Sequence, residues 1–242
     1  MLLEAQSIVK SFGGFRAVDG TNLTLHEHEL IGLIGPNGAG KSTFFNCLAG
    51  DALPDAGSIH FRGREITRMP PHDRARLGLA RTFQVPIVFD GMTVRENVMV
   101  GAFLRRPHRH AAAAKADEVL AFTGLAEQAN QQVTTLGTPG RKRLEIARAL
   151  ATEPVVLLLD EALAGLTAEE IETAIELVRR IHASGITLIV VEHIMEVIHR
   201  LTQRVIVLHQ GRALAEGAPA EVTRDPRVIE AYLGRRAGRH RP

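Results

Sequence analysis

Short unbroken aliphatic runs punctuate the chain, and each stops at a glycine or an ionisable residue. Leu30–Ile34 stops at Gly35, Val155–Leu159 at Asp160 and Glu161, Thr187–Val191 at Glu192 and His193, and Val205–Leu208 shortly before Gly211. Runs of this kind, with no alternation of polar and apolar positions, predict strands covered on both faces. Between two of them, Ile171, Ala174, Ile175, Val178 and Ile181 recur at helical spacing. They predict a helix over 169–182, with Thr167 as its N-cap. Strands alternating with helices predict an α/β fold with a mostly parallel sheet.

Two regions depart from this pattern. The first thirty residues alternate in short segments, with turn signals at Gly13-Gly14 and Asp19-Gly20. They predict a small antiparallel β-layer. Residues 92–150 are rich in Ala, Glu and Arg and helical in pattern, with Ala111–Ala114 a run of good helix former. The expected organisation is a single domain over 1–242. Residues 1–91 and 151–234 form its core, 92–150 a mainly helical subdomain, and 235–242 a basic tail.

Composition narrows the function classes. With 242 residues, 45% of them hydrophobic, the chain can bury a core without covalent staples. A single cysteine, Cys47, excludes a disulfide framework and a cysteine-based zinc site. The start of the chain lacks a basic segment leading into an apolar run, and no apolar stretch reaches the roughly 18 residues of a bilayer span. The expectation is a protein of the reducing cytoplasm. The formal charge is only +2, and Arg235, Arg236, Arg239 and Arg241 crowd the tail. That tail reads as a solvated terminus, or as a contact for acidic lipid headgroups. One Tyr and no Trp leave few platforms for stacking bases, which argues against nucleic acid.

The most specific chemical signal is Gly35-Pro36-Asn37-Gly38-Ala39-Gly40-Lys41-Ser42-Thr43, which fits G-x-x-x-x-G-K-[ST]. Glycines at these positions let successive backbone N–H groups turn toward an anion, and the helix N-terminus that follows adds its partial positive charge. In such a loop Lys41 reaches the β- and γ-phosphates and Ser42 holds Mg²⁺. The context agrees, with an apolar strand before the loop and a helix-compatible segment, Thr43–Ala49, after it. A dinucleotide fingerprint fails on spacing, since Thr43 stands where its last glycine would be. Asp160, at the end of an aliphatic strand, offers a carboxylate for Mg²⁺, and Glu161 one step later is placed to polarise a water.

With these two motifs on the page, the chain resembles the nucleotide-binding subunit of an ATP-binding cassette (ABC) transporter over nearly its whole length. It is most similar to the branched-chain amino acid uptake group. The stretches that carry the resemblance are Arg81-Thr82-Phe83-Gln84, Met92 to Asn97, Arg143 to Leu150, Ala164-Gly165-Leu166, Val191-Glu192-His193 and Pro226 to Gly234. It implies a P-loop NTPase of the RecA-like kind that binds ATP and Mg²⁺ and hydrolyses ATP. By the resemblance, Phe12 stacks on adenine and Val18 is a neighbouring apolar contact. Gln84 joins Ser42 and Asp160 around Mg²⁺, Glu161 is the catalytic base, and His193 contacts the γ-phosphate.

One motif departs from the family. Its signature, usually Leu-Ser-x-Gly-Gln, completes the ATP site of a second subunit. Here the segment reads Leu136-Gly137-Thr138-Pro139-Gly140-Arg141. An ungapped match puts Gly137 at the serine and Pro139 at the glycine, removing a hydroxyl and a backbone donor. A shift by one residue makes Thr138 the hydroxyl and N-cap, Pro139 the first helical position, and Gly140 the N–H donor. Either way the usual glutamine is replaced. Ala162 stands where the family has proline, and Thr167 where this group commonly has Asn.

The resemblance implies the ATPase of a membrane importer, at the cytoplasmic face of the membrane. It would work with permease subunits, with a second ATP-binding subunit (the same chain or a different one), and indirectly with a solute-binding protein. The solute expected is a branched-chain amino acid or another small polar molecule such as an amide or urea. Rival readings are the ATPase of a lipid or lipopolysaccharide exporter, and a soluble nucleotide-dependent regulatory module.

Overall fold

In the computed structural model, which describes residues 1–233, the chain divides into one unit of residues 1–71 with 187 onward and another of residues 72–186. The basic tail 235–242 lies outside the described residues, as does Gly234.

In the first unit, β1 (Leu3–Phe12) and β2 (Phe15–Leu25) form a hairpin. Its two-residue loop is Gly13-Gly14, with φ of 52° and 85°, the left-handed pair that a tight hairpin turn demands. The other expected turn, Asp19-Gly20, is corrected. The pairing passes from Val9↔Asp19 to Ile8↔Thr21, so Gly20 (φ 74°) is the extra residue of a bulge inside β2. β3 (Leu30–Ile34) is buried throughout and leads into α1 (Lys41–Ala49). The helix stops at Gly50, a left-handed residue whose N–H donates to the carbonyls of Asn46 and Cys47. β4 (Ala56–Phe61) and the two-residue β5 (Arg64–Glu65) complete an antiparallel sheet in the order β2-β1-β4-β5.

The second unit opens with α2 (Pro71–Leu77) and β6 (Leu79–Arg81). Next come α3 (Val94–Ala102), α4 (Arg109–Thr123) and α5 (Thr138–Leu150), all within the segment expected to be helical. Thr93 and Glu96 form a reciprocal capping box at the start of α3. These helices pack on one another. At Gly101 a side chain would meet the Arg148 carbonyl at 2.2 Å, so glycine lets α3 touch the backbone of α5. β7 (Val156–Asp160), one residue on from the run predicted, is buried throughout and pairs in parallel with β6. α6 (Ala168–Ala183) starts at Thr167, which forms a capping box with Glu170. The predicted helix and cap are both found.

The chain then returns to the first unit through β8 (Thr187–Val191), α7 (Met195–Leu201), β9 (Arg204–His209), β10 (Arg212–Gly217), α8 (Pro219–Val222) and α9 (Pro226–Leu233). β3 lies between β8 and β9 and pairs with both in parallel, while β10 is antiparallel to β9. Ile34, Ile198, Val205, Val207, Val222 and Val228 form one apolar cluster beneath these strands. Burying such side chains contributes roughly 1.5–3 kcal/mol each.

Candidate functional site

The phosphate loop leaves the C-terminal end of β3. Its glycines are required by space as well as by φ. A side chain at Gly35 (φ 149°) would meet the Leu208 carbonyl at 2.2 Å, and one at Gly40 (φ 98°) the Ala17 carbonyl at 2.1 Å. Gly38 (φ 79°) faces open space, so its requirement is backbone alone. The loop is braced from outside. The Gly211 N–H donates to the Ala39 carbonyl at 3.0 Å, and the Gly211 carbonyl accepts from the Asp19 N–H and the Thr21 hydroxyl, both at 2.7 Å. Tyr232 on α9 places its hydroxyl near the Gly35 N–H. Burial of that phenol pushes its pKa above the ordinary value.

Within the loop, the Lys41 ammonium donates to the carbonyls of Gly35 (2.7 Å) and Pro36 (3.1 Å). It is thereby held across the concavity that its motif assigns to phosphates. Ser42 is exposed in the first turn of α1, and Thr43 is half-buried. Pro36 is half-buried, Asn37 is exposed, and Ala39 is buried under the loop. His193 is exposed and leaves the sheet two residues after β8. Since Leu33 pairs with Val191, the loop and His193 emerge from neighbouring strand ends, the side of an α/β sheet where ligands bind.

The second unit holds a separate cluster. Asp160 ends β7 and is only 4% exposed. Its Oδ2 accepts from Arg81 Nη2 at 3.1 Å, and its N–H donates to the Thr82 hydroxyl at 3.2 Å. The Arg81 guanidinium also stacks 4.5 Å from the Phe83 ring centroid. Glu161 adopts φ 46°, unusual for a residue with a side chain. Its Oε2 accepts from Gln84 Nε2 at 2.7 Å. Gln84, Asp160 and Glu161 are thus brought into one cluster.

Two expected nucleotide contacts fare differently. Phe12 is 55% exposed at the tip of the hairpin, with Lys10 5.5 Å above its ring. Val18 is fully buried. It belongs to the core and shows no exposed face to the base that the resemblance assigned to it; its neighbour Ala17 is buried too, at an irregular stretch of the pairing with β1. The signature segment is corrected as well. α5 begins at Thr138, so Gly137 is the N-cap, extended at φ −67°, ψ 173°, and no side chain caps the helix. Pro139 takes the second helical position, where the missing N–H is still one of the unbonded four. The ungapped match therefore fits the helix start, and Thr138 is not the cap. Gly140 is buried against Leu136.

Two polar residues beside this cluster have no role assigned from the sequence. Lys142 and Glu145 of α5 are 8% and 3% exposed. They share the helix stripe of Ile146 and Ala149, where a charge among apolar neighbours was the signal to look for. Burial pushes the Glu145 carboxyl up to about 7. The N–H groups of Ile87 and Phe83 and the charges of Arg148 and Arg81 oppose that shift.

The donor chemistry within each unit suits Mg²⁺. Ser42 in the first, and Asp160 and Gln84 in the second, offer hard oxygen atoms, and this ion takes one or two carboxylates plus substrate phosphates rather than a protein cage. Among the described residues no group of three or more His, Cys, Asp and Glu gathers as such a cage. Among them, too, no helix is long and apolar enough to cross a membrane.

Comparison with known proteins agrees with these motifs. The profile of the ABC transporter family matches residues 18–164, and that of the branched-chain amino acid ATP-binding cassette transporter matches residues 214–238. The high-affinity branched-chain amino acid transport ATP-binding protein LivG of Salmonella typhimurium is 39% identical over 249 residues, covering 96% of this chain and 98% of its own. BraF of Pseudomonas aeruginosa, of the same description, is 38% identical over 253 residues with the same coverage. Among solved structures, the ADP conformation of an ATP-binding cassette of an ABC transporter superposes with a TM-score of 0.87 at 30% identity, covering 96% of this chain and 98% of that one. A nucleotide-free cassette gives 0.86 at the same identity. The fold is that of a P-loop NTPase, and the chain belongs to the ABC transporter family as an ATP-binding cassette, most similar to the branched-chain amino acid group.

Proposed function

We propose that this chain is the ATP-hydrolysing subunit of an importer, and that its transmembrane partners carry branched-chain amino acids or a closely similar small solute such as an amide. The observation that carries the reading is the end-to-end match to LivG and BraF, together with the match of residues 214–238 to the branched-chain group. The proposed setting is the cytoplasmic face of the membrane, against permease subunits that receive solute from a binding protein.

The chemistry is in-line attack of water on the γ-phosphorus. Glu161 takes a proton from that water as its oxygen bonds to phosphorus. The bond from phosphorus to the β-bridging oxygen breaks, and ADP and phosphate leave. The loop amides and Lys41 bind the phosphates and stabilise the charge that develops on them. Ser42, Asp160 and Gln84 would hold Mg²⁺, which neutralises charge on the β- and γ-oxygens when bound. His193 contacts the γ-phosphate, and Phe12 stacks on adenine. A second subunit supplies its own signature segment, and Gly137–Gly140 serves that subunit in return.

The test uses Glu161→Gln, which retains ATP. Its mass by light scattering should double with Mg-ATP and not with Mg-ADP, either alone or on adding the second ATP-binding subunit. Reconstituted with its permease subunits, the wild-type chain should drive leucine into vesicles. Transport of lipid outward, or of neither, would sink the importer reading.

A further inference from the structure

Two buried charges stand one turn apart on α5, and each holds a different loop of the carboxylate cluster. The Lys142 ammonium donates to the carbonyl of Glu161 at 3.0 Å and to that of Ala164 at 2.6 Å. It thus spans the turn closed by the Ala164 N–H on the Glu161 carbonyl. Glu145, at i+3 on the same face, points to the other loop. Its carboxyl accepts from the N–H of Ile87 at 3.4 Å and lies near that of Phe83. These two amides flank Gln84. The ammonium therefore holds the backbone of Glu161, and the Glu145 carboxyl holds the backbone around Gln84. The two held residues meet through the 2.7 Å bond between their side chains.

The energetics support a positioning role for the pair. Left-handed backbone at a non-glycine residue costs on the order of 1–3 kcal/mol and persists only where surroundings hold it. Glu161 is in that state, and a charged donor sits on its own carbonyl. An ammonium with 8% exposure is expensive to bury unless its donors are used, and two carbonyls use them. A helix packed by its apolar stripe is a rigid base from which to fix both loops.

We infer that Lys142 and Glu145 are positioning residues: α5 uses them as a two-pronged clamp that fixes the loops of Glu161 and Gln84, so that the helix behind the signature segment sets the geometry of the catalytic pair. The inference rests on the reading of Glu161 as the base. It goes beyond that reading by giving a role to two residues that the reading leaves without one.

The experiment compares Lys142→Met, Lys142→Arg, Glu145→Leu and Glu145→Gln in the full chain. Deuterium exchange of the backbone is measured alongside the kcat and KM of ATP hydrolysis. In Lys142→Met, exchange over 161–166 should speed up at least tenfold while that of 142–150 stays unchanged. In Glu145→Leu the same change should fall on 83–89. Displacing a catalytic group by about 1 Å costs on the order of 100-fold, so kcat should fall by about 10- to 100-fold while KM stays within about twofold. Lys142→Arg and Glu145→Gln, which keep a donor and an acceptor, should recover most of kcat. Unchanged exchange at both loops overturns the clamp, and so does a KM that rises as far as kcat falls. Should Lys142→Met fail to fold, Lys142→Ala, which also removes every donor, gives the same two readings. If Glu161→Gln still hydrolyses ATP, the base assignment fails. The exchange data on the Lys142 variants still decide whether the clamp exists.

Discussion

Gln84 donates to Glu161 across 2.7 Å, joining the loop after β6 to the turn after β7. The bond fixes one carboxylate oxygen of Glu161 and leaves the other for a water. Gln84→Ala removes the donor without touching the loop amides or Lys41. Steady-state kinetics should show kcat reduced about tenfold, with the affinity for a fluorescent ATP analogue within about twofold of wild type. Loss of affinity equal to the loss of kcat would mean that Gln84 serves binding alone.

Gly40→Ala tests the bracing of the phosphate loop. The added carbon would sit 2.1 Å from the Ala17 carbonyl, and φ 98° is disfavoured for alanine. Backbone and loop must shift, at roughly 2–4 kcal/mol of stability. A drop in the urea midpoint and loss of nucleotide binding are expected together. Gly38→Ala is the control: it shares the positive φ but meets open space, so it should cost only about 1 kcal/mol.

The ion pair of Arg81 with Asp160 is buried, with side chains 11% and 6% exposed. Arg81→Met strands a carboxylate that needs its charge balanced, and should destabilise the chain by roughly 3 kcal/mol. The double variant Arg81→Met/Asp160→Asn removes the charge as well and should recover most of that loss. A cycle in which the two single effects simply add would show that the pair is not coupled.

These relationships were legible in the sequence to different depths. β3 and β8 coincide with their predicted runs because a doubly covered parallel strand is an unbroken aliphatic segment with a turn at its end. The phosphate loop is legible for a similar reason, since its chemistry is backbone and glycine and therefore local. Asp19-Gly20 misleads because the dipeptide marks turns and bulges alike, and only the pairing with β1 separates them. Thr138 misleads because Thr-Pro also reads as cap and first position. The structure starts the helix one residue earlier, on a glycine with no side chain to announce it. Val18 has the identity of a base contact but the facing of a core residue, and facing depends on β2's register. The partners of Lys142 and Glu145 lie in loops distant along the chain, so only their misplacement on an apolar stripe was visible beforehand.

Glu145 gives stability a pH dependence. Its folded pKa is about 7, raised by burial from the ordinary 4.5, so the folded state prefers the protonated acid. For a group raised on folding, the contribution is fully present below the unfolded value. It is lost as pH climbs through the folded one. The window is therefore about pH 4.5 to 7. Arg148 and Arg81 are the charges that favour its ionised form. Glu145→Gln is neutral at every pH and keeps an acceptor for the loop amides. The variant should match wild type near pH 4.5 and be the more stable above pH 7, by on the order of 3 kcal/mol. Parallel denaturation curves across that range would mean that the carboxyl ionises without cost.

At Gly137 the resemblance expects a serine, and the geometry there permits one. As N-cap it is extended at φ −67°, ψ 173°, a conformation open to any residue. A carbon built on it meets only the Pro139 ring, at an ordinary 3.8 Å. Gly137→Ser therefore adds a hydroxyl where α5 lacks a side-chain cap. Serine exceeds glycine at an N-cap by only a few tenths of a kcal/mol, so the melting temperature should move little. The larger effect belongs to the second subunit, whose γ-phosphate would gain a donor at a helix N-terminus. Combined with Glu161→Gln, Gly137→Ser should associate at several-fold lower concentration in Mg-ATP than Glu161→Gln alone, measured by light scattering. Equal association would show that the backbone of Gly137–Gly140 already supplies all the grip that this cassette uses.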